Sequence, residues 1–213
     1  MFDCDGTLVD SQANIIRAMA DSFGRMGLAD ADPHAVRRVV GLSLVEAMQA
    51  LLPDAGPDLH MRLADDYKLA FQRLRADDRL DPEPMFDGVK ELLLELEADG
   101  WLLAVATGKS DRGLNLCLTH HGILDRFISL QTADRHPSKP DPAMLMACLS
   151  DAGVGTDAAF IIGDTSFDMG MGVAAGVPAI GVDWGYHDAE ELLLSGAASV
   201  AMDAAHLKAL LYG

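Results

Sequence analysis

Short apolar runs alternate with amphipathic helical segments from residue 85 onward, and this alternation restricts the fold more than any other feature of the chain. The clearest candidates for buried strands are 101–106, 158–162 and 178–182, and weaker candidates are 127–130 and 199–202. The helical segments between them are 88–98, 111–121, 143–152, 166–175 and 204–211. Because helices connect consecutive parallel strands and cover the sheet, this order predicts an α/β fold with a parallel sheet and helices on both faces.

The segment that precedes this alternation has the pattern of one helix after another. Apolar residues recur at helical spacing in three stripes, within residues 15–23, 44–52 and 59–71. Glycine and proline residues separate the stripes, and no convincing strand lies among them. We therefore expect an all-helical domain over residues 12–83, inserted into an α/β core that is made of residues 1–11 and 84–213.

The composition excludes some classes of function. The chain has 213 residues and a net charge of −17, whereas nucleic acids and anionic membranes favour basic surfaces. An acidic protein that handles an anionic substrate needs a local source of positive charge. No apolar run approaches the roughly 20 residues of a membrane-spanning helix, and the first residues do not resemble a signal peptide. The three cysteines lack paired spacing and indicate reduced thiols, so we expect a cytoplasmic protein.

Polar residues follow several apolar runs at the point where each run ends. Asp3 follows Phe2, Thr107 follows the run 101–106, and Asp164 follows the run that includes Ile162. In open α/β sheets, ligands bind outside the carboxyl ends of the strands. This edge of the sheet is therefore the candidate site.

Asp3 and Asp5 are the first pair of carboxylates, and only one residue separates them. At a strand end this spacing points both side chains the same way. Two carboxylates held together are typical of a metal site, or of a nucleophile beside a general acid or base. Gly6 lets the backbone turn sharply after them. The alternative is a strand that ends in a turn with two local capping aspartates.

Asp164 and Asp168 form a second pair, four residues apart across the predicted start of a helix. This spacing allows both carboxylates to face one point. Hard cations such as Mg²⁺ prefer carboxylate oxygens and water molecules. Capping of the helix is the alternative, and it explains Asp168 better than Asp164.

Two further segments offer positive charge and hydrogen-bond donors. Lys139 lies between prolines in a stiff segment, where it could neutralise carboxylates and a phosphate group. A solvated loop lysine is the alternative. Thr107 and Gly108 offer a hydroxyl and a free N–H group between a strand and a helix, which is typical of an anion cradle. We expect Ser110 to be a simple helix N-cap.

The order and spacing of these segments are more specific than any one of them. The series Asp3-Cys4-Asp5-Gly6-Thr7-Leu8-Val9-Asp10-Ser11, then Thr107, then Lys139-Pro140, then Gly163-Asp164-Thr165 with Asp168 resembles the four motifs of the haloacid dehalogenase superfamily. The resemblance covers essentially the whole chain, and the helical insert resembles the small helical cap of that superfamily. It implies a Rossmann-like core. The later motifs are most similar to phosphoglycolate phosphatase-like members.

The resemblance implies a magnesium-dependent phosphatase that acts on a small phosphorylated metabolite through an aspartyl-phosphate intermediate. Asp3 would be the nucleophile, and Asp5 would act first as general acid and then as general base. Mg²⁺ would be held by Asp3, the backbone carbonyl of Asp5 and Asp164. Asp168 would support this set of ligands.

The resemblance also implies which groups bind the phosphoryl oxygens and the rest of the substrate. Thr107, the N–H group of Gly108 and Lys139 would bind the phosphoryl oxygens. The cap would close over the site, and its candidates for contact with the leaving group are Arg37, Arg38 and Gly41. Ser11, with its neighbour Asp10, is expected to cap the first helix of the insert.

Two features depart from the pattern of the superfamily. Only Met1 and Phe2 precede Asp3, too few for a strand of about five residues, so we expect that upstream residues are missing or that the sheet has a gap below the nucleophile. Gly108 replaces an asparagine that is common among relatives. A sugar phosphomutase would share all four motifs, and a catalytically impaired phosphate- or metal-binding module is a further alternative.

Overall fold

Five parallel strands form the sheet in the computed structural model, which describes residues 1–213. They are β1 (Leu103–Thr107), β2 (Phe127–Thr132), β3 (Ile161–Gly163), β4 (Ala179–Val182) and β5 (Ser199–Ala201). β1 pairs with β2, and β4 lies between β3 and β5, in each case in parallel register. The predicted α/β fold with a parallel sheet is confirmed.

Two strands begin later than the apolar pattern predicted. Trp101 donates its N–H to the carbonyl of Leu96 and so belongs to the turn that ends the preceding helix. Ala158 belongs to a short 3-10 helix, Thr156–Ala158. Apolar composition cannot separate a buried strand from the apolar residues that lead into it, because both contribute to the same core.

The first residues of the chain join the two parts of the sheet. Phe2 forms parallel bridges with Val105 of β1 and with Ile162 of β3. Asp3 donates its N–H to the carbonyl of Ile162 at 2.9 Å. Residues 1–3 therefore lie at the centre of the sheet and carry Asp3 to its carboxyl edge. A mostly apolar cavity of about 380 Å³ lies beside Met1 and Phe2.

Four helices with a core of their own precede the sheet helices. They are α1 (Gln12–Arg25), α2 (Pro33–Arg38), α3 (Leu44–Leu51) and α4 (Pro57–Ala76). Phe23, Met48, Leu63 and Leu74 are fully buried in a hydrophobic cluster that these helices share. This all-helical layer matches the predicted cap, while the exact bounds 12–83 for the cap and 1–11 with 84–213 for the core stay predictions.

Six further helices cover the two faces of the sheet. They are α5 (Val89–Ala98), α6 (Asp111–His120), α7 (Ala143–Ala152), α8 (Ser166–Ala175), α9 (Ala189–Leu194) and α10 (Ala204–Tyr212). α5, α6 and α10 share one buried cluster with the sheet, and α7, α8 and α9 share another. The sequence reading did not predict α9. None of the ten helices combines the length and the apolar character that crossing a membrane requires.

Candidate active site

Three buried carboxylates meet at the carboxyl edge of the sheet. Asp3, Asp164 and Asp168 each offer an oxygen, and these oxygens lie within 4.8 Å of one another. Asp3 follows the bridge at Phe2, and Asp164 directly follows β3. The three side chains are inaccessible to solvent. The convergence that the sequence predicted for these carboxylates is present.

Lys139 is the cation of this cluster. Its Nζ atom lies 2.9 Å from Asp3 Oδ1 and 2.7 Å from Asp168 Oδ1. The lysine is only 1% exposed. Burial alone would lower the pKa of Lys139, but the charges of Asp168 and Asp3 outweigh it, and the pKa lies above its ordinary value. Lys139 is therefore a fixed positive charge and not a solvated loop residue.

Asp168 takes part in a helix cap and in the carboxylate cluster at once. Thr165 and Asp168 form a capping box at the start of α8, in which Asp168 Oδ2 accepts the N–H of Thr165. The other carboxylate oxygen accepts a hydrogen bond from Lys139. Asp168 therefore caps α8 and also faces the carboxylate cluster, while its support of a metal site stays a prediction.

Asp164 is held in place from two sides. Thr7 donates its hydroxyl to Asp164 Oδ1 at 2.7 Å, and Tyr186 donates its backbone N–H to Oδ2 at 3.0 Å. A Cβ atom at Gly6 would lie 2.1 Å from Asp164 Oδ2, and one at Gly185 would lie 2.1 Å from Asp164 Cβ. Gly6 also has a φ of +83°, a conformation that favours glycine. Glycine is required at both positions for the carboxylate to occupy this place.

Asp3 has one satisfied and one unsatisfied oxygen. Oδ1 accepts hydrogen bonds from the N–H of Cys4 and interacts with Lys139, whereas Oδ2 is buried and has no hydrogen-bond partner. Burial raises the pKa of Asp3 to about 7, and burial together with the charge of Asp3 also raises the pKa of Asp164. An unpartnered carboxylate oxygen within a buried cluster of excess negative charge fits a hard divalent cation.

The side chain of Asp5 lies in a different environment from that of Asp3. It lines a cavity of about 1170 Å³ between cap and core. Its Oδ1 atom lies 2.7 Å from Lys109 Nζ and accepts a hydrogen bond from the hydroxyl of Ser11. The cavity is lined by cap residues such as Tyr67 and Phe71 and by core residues such as Gly108 and Arg112.

Thr107 and Gly108 lie where β1 ends. The N–H of Lys109 donates to Thr107 Oγ1 at 3.3 Å, and Thr107 is buried. A Cβ atom at Gly108 would lie 2.7 Å from the carbonyl oxygen of Leu42 and 2.8 Å from that of Gly41. In this arrangement only glycine at position 108 lets the loop of the cap approach the core so closely. Ser110 accepts the N–H of Gly113 and caps α6, as predicted.

The two cap arginines contact the core and do not line the cavity. Arg37 donates to the backbone carbonyl of Gly185 at 2.7 Å, and Arg38 forms a bidentate pair with Glu191 at 2.6 Å for each contact. Gly41, in contrast, lines the cavity. Contact of Arg37 or Arg38 with a leaving group stays a prediction, and it would require each side chain to leave these partners.

The structure gives several residues at the site contacts that the sequence did not predict. Lys109 contacts Asp5 and Thr7 contacts Asp164, and neither residue was assigned a role from the sequence. Ser11 was expected to cap α1, but its side chain makes no capping hydrogen bond there and binds Asp5 instead. The expectation is wrong for Ser11, whose hydroxyl donates to the carboxylate of Asp5. It holds for its neighbour Asp10, whose carboxylate accepts the N–H of Gln12 at the start of α1. Tyr186, whose hydroxyl lies near Ser11, follows the end of β4, and that position was the available signal.

Comparisons with known proteins agree with this geometry. The family model for haloacid dehalogenase-like hydrolases matches residues 1–182. A probable phosphatase, IndB, of Dickeya dadantii is 33% identical over 195 residues, which cover 90% of this chain and 84% of the relative. A phosphoglycolate phosphatase of Rhodospirillum rubrum is 32% identical over 216 residues, which cover 97% of this chain and 88% of the relative.

A solved structure shows the same fold over the whole chain. A hydrolase from Pseudomonas syringae has a TM-score of 0.86 at 24% identity and covers 99% of this chain and 96% of its own. The family match, the relatives and the arrangement of the four motifs agree, and the resemblance seen in the sequence is confirmed. This chain belongs to the haloacid dehalogenase-like hydrolases.

Proposed function

We propose that this chain is a magnesium-dependent phosphatase that hydrolyses a small phosphate monoester through an aspartyl-phosphate intermediate. The observation that carries this proposal is how the two carboxylate oxygens of Asp3 are placed. Lys139 orients one of its carboxylate oxygens, and the other oxygen is buried without a partner. A fixed carboxylate beside a cation is a competent nucleophile toward phosphorus. The names of the curated relatives support the same class of reaction.

Mg²⁺ is the cation that this set of ligands suits. The carboxylates of Asp3 and Asp164 and the backbone carbonyl of Asp5 would hold it, and oxygen ligands of this kind are those that Mg²⁺ prefers. Asp168 would support the set through its contacts with Lys139 and Thr165. When bound, the ion would offset negative charge on the carboxylates and on the phosphoryl group.

Asp3 and Asp5 would perform the two chemical steps, the transfer of the phosphoryl group to the enzyme and its hydrolysis. An oxygen of Asp3 would attack the phosphorus, and the bond to the leaving oxygen would break while Asp5 donates a proton to that oxygen. Asp5 would then accept a proton from a water molecule that attacks the phosphorus, which releases phosphate and restores Asp3. Lys109 and Ser11 hold Asp5 at the cavity, on the side where the leaving group would lie.

The phosphoryl group would be stabilised by donors at the ends of the strands. The ammonium of Lys139, the hydroxyl of Thr107 and the N–H group of Gly108 would bind its oxygens. Phosphoryl transfer depends mainly on positioning and on stabilisation of charge, so these fixed donors provide what the reaction needs. They also supply the local positive charge that a chain with a net charge of −17 needs to bind an anion.

The substrate would be a small phosphorylated metabolite similar to phosphoglycolate. The curated relatives named phosphoglycolate phosphatase support this class. The cavity of about 1170 Å³ at Asp5 would also admit larger leaving groups, since ligand pockets commonly have about 300–1,000 Å³. A screen should therefore span phosphorylated acids, sugars and nucleotides.

A phosphate-release assay with p-nitrophenyl phosphate and Mg²⁺ tests the proposal. We expect Asp3→Asn to reduce release to the uncatalysed background, and Asp5→Asn to reduce it by about 10²–10⁴-fold. Asp10→Asn is the matched control, because Asp10 belongs to the same motif but is exposed and only accepts the N–H of Gln12. Release by the Asp3 variant at the wild-type rate would contradict the assignment.

The same assay distinguishes the two alternatives. A sugar phosphomutase, which the size of the cavity would accommodate, would isomerise a sugar phosphate when sugar bisphosphate is added, instead of releasing phosphate. A catalytically impaired binding module would bind Mg²⁺, seen as a rise in the melting temperature, and would release no phosphate from any substrate in the screen.

A further inference from the structure

Two cysteines from distant parts of the chain meet beneath the proposed nucleophile. The Sγ atoms of Cys4 and Cys117 lie 3.9 Å apart. Cys4 lies between Asp3 and Asp5, and because side chains alternate along an extended chain, it points into the core that α6 covers. Cys4 is fully buried, and Cys117 is 8% exposed. Both are free thiols in this structure.

We propose that Cys4 and Cys117 are a redox modification site, at which a hydroperoxide such as hydrogen peroxide oxidises the two thiols to a disulfide and switches the enzyme off. The formation of the disulfide follows from the contact of the two sulfur atoms. The loss of activity rests, in addition, on the proposed function.

The oxidant can reach one of the two thiols. Cys117 lines the cavity of about 1170 Å³ that also contains Asp5 and Lys109, so a molecule as small as hydrogen peroxide has a path to it. A hydrogen bond from the thiol of Cys4 and the charge of Lys109 lower the pKa of Cys117 in spite of its burial, which supports the same assignment. Cys4 does not line the cavity and would react second.

The chemistry balances with the peroxide as the only co-reactant. The sulfur of Cys117 would attack one peroxide oxygen, the O–O bond would break, and the leaving hydroxide would take the thiol proton and depart as water. The sulfur of Cys4 would then attack the sulfenic acid formed at Cys117, and a second water molecule would leave as the S–O bond breaks. Two thiols and one peroxide give one disulfide and two molecules of water.

The new bond would displace the loop that carries the nucleophile. An S–S bond is about 2.05 Å long, so the two sulfur atoms, now 3.9 Å apart, would have to approach by almost 2 Å. Cys4 donates its N–H to Asp3 Oδ1, and its carbonyl accepts the N–H groups of Leu8 and Val9. A shift of Cys4 would therefore move Asp3. A misplacement of about 1 Å can cost about a hundredfold in rate.

Cys148 provides a matched control. It is also buried and lines the smaller cavity of about 380 Å³, but its Sγ atom contacts Ser129 Oγ and the carbonyl of Val105 and no second thiol. Oxidation at Cys148 would have no partner with which to form a disulfide inside the chain.

The experiment treats the full chain with hydrogen peroxide and follows two readouts. Peptide mapping by mass spectrometry without reductant should find Cys4 linked to Cys117, and phosphate release should fall by about a hundredfold and recover with dithiothreitol. Cys117→Ser should give neither the linked peptide nor the reversible loss, and Cys148→Ser should behave as the wild type. Circular dichroism checks that each variant is folded, and Cys117→Ala replaces the serine variant if that one is not.

The two readouts separate this inference from the proposed function. Absence of the linked peptide in folded, peroxide-treated protein would overturn the inference even if the enzyme is an active phosphatase. A linked peptide with unchanged phosphate release would overturn the proposal that the disulfide switches the enzyme off. If no phosphatase activity exists in the untreated protein, the linked peptide still tests the modification site. The rise in melting temperature with Mg²⁺, which the disulfide should abolish by moving Asp3, then tests the switch.

Discussion

Lys139 forms a fully buried ion pair with Asp3, in which Nζ lies 2.9 Å from Asp3 Oδ1. The same ammonium group lies 2.7 Å from Asp168 Oδ1, so one lysine offsets two carboxylates. Asp164, the third carboxylate of the cluster, is held by a hydroxyl and a backbone N–H group and not by a cation. The cluster therefore depends on Lys139 for its stability and has an excess of negative charge that a divalent cation would offset.

Replacing Lys139 should destabilise the protein as well as inactivate it. Lys139→Met would leave two buried carboxylates without their cation, and breaking one side of a buried pair costs about 3–5 kcal/mol. Urea unfolding measures this loss. Lys208→Met is the matched control, because Lys208 pairs with Glu95 at 2.9 Å on the surface. The unfolding midpoint of this variant should hardly differ from that of the wild type. Equal shifts in the two variants would contradict the structural role of Lys139.

Binding of Mg²⁺ should become stronger as the pH rises toward neutrality. Burial raises the pKa of Asp3 from 3.8 to about 7, and the protonated carboxyl must lose its proton before it can bind a cation. Below pH 7 the apparent affinity should fall by about tenfold per pH unit for each proton released. The rise in melting temperature with Mg²⁺ should therefore be larger at pH 8 than at pH 6.

The folding stability of the metal-free protein should fall as the pH rises, in contrast to the affinity for Mg²⁺. Because the pKa of Asp3 is higher in the folded state than in the unfolded state, the unfolded chain loses this proton first as the pH rises. The contribution of Asp3 to stability is therefore most favourable below about pH 4 and is lost as the pH rises to about 7. Asp3→Asn should weaken this dependence, and Asp164, whose pKa burial also raises, should contribute the remainder. A Mg²⁺-induced rise that is equal at pH 6 and pH 8 in the wild type would refute the assignment of Asp3 as a ligand.

Gly6 should be intolerant of even one added carbon atom. In Gly6→Ala the new Cβ would overlap Asp164 Oδ2, and the φ of +83° adds strain of about 1–3 kcal/mol. We expect loss of the Mg²⁺-induced rise in melting temperature together with loss of phosphate release. Gly27→Ala is the matched control, since Gly27 has a φ of +70° but open space around it. If both variants keep the response to Mg²⁺, the close approach of Gly6 to Asp164 has no role in the site.

The sequence was sufficient to predict that the main candidate site residues converge. Parallel strands end at one edge of the sheet, so a polar residue after each strand is placed near the others whatever the details of packing. Asp3 and Asp164 are brought together in this way. Lys139 lies on a loop, and its position at the edge followed from the resemblance and not from a strand.

The contacts of long side chains and of the cap could not be predicted in the same way. Lys109 lies two residues after Thr107 in the sequence, but its contact with Asp5 depends on the path of the loop after β1. Arg37 and Arg38 end a short helix, and only the docking of the cap on the core decides whether they reach Gly185 and Glu191 or a substrate. Such choices depend on tertiary packing, which a local pattern does not contain.

A double-mutant cycle on Arg38 and Glu191 should show how this arginine acts. The pair is bidentate but about one-third exposed on each side, so its coupling energy should be about 1 kcal/mol or less. If Arg38 holds the cap against the core, Arg38→Gln and Glu191→Gln should change kcat/KM by similar factors, and the double variant should be no worse than either. If Arg38 contacts the leaving group, Arg38→Gln alone should raise KM, because Glu191 would have no part in binding. The structure favours the first result, since both guanidinium nitrogens that face the core already have carboxylate partners.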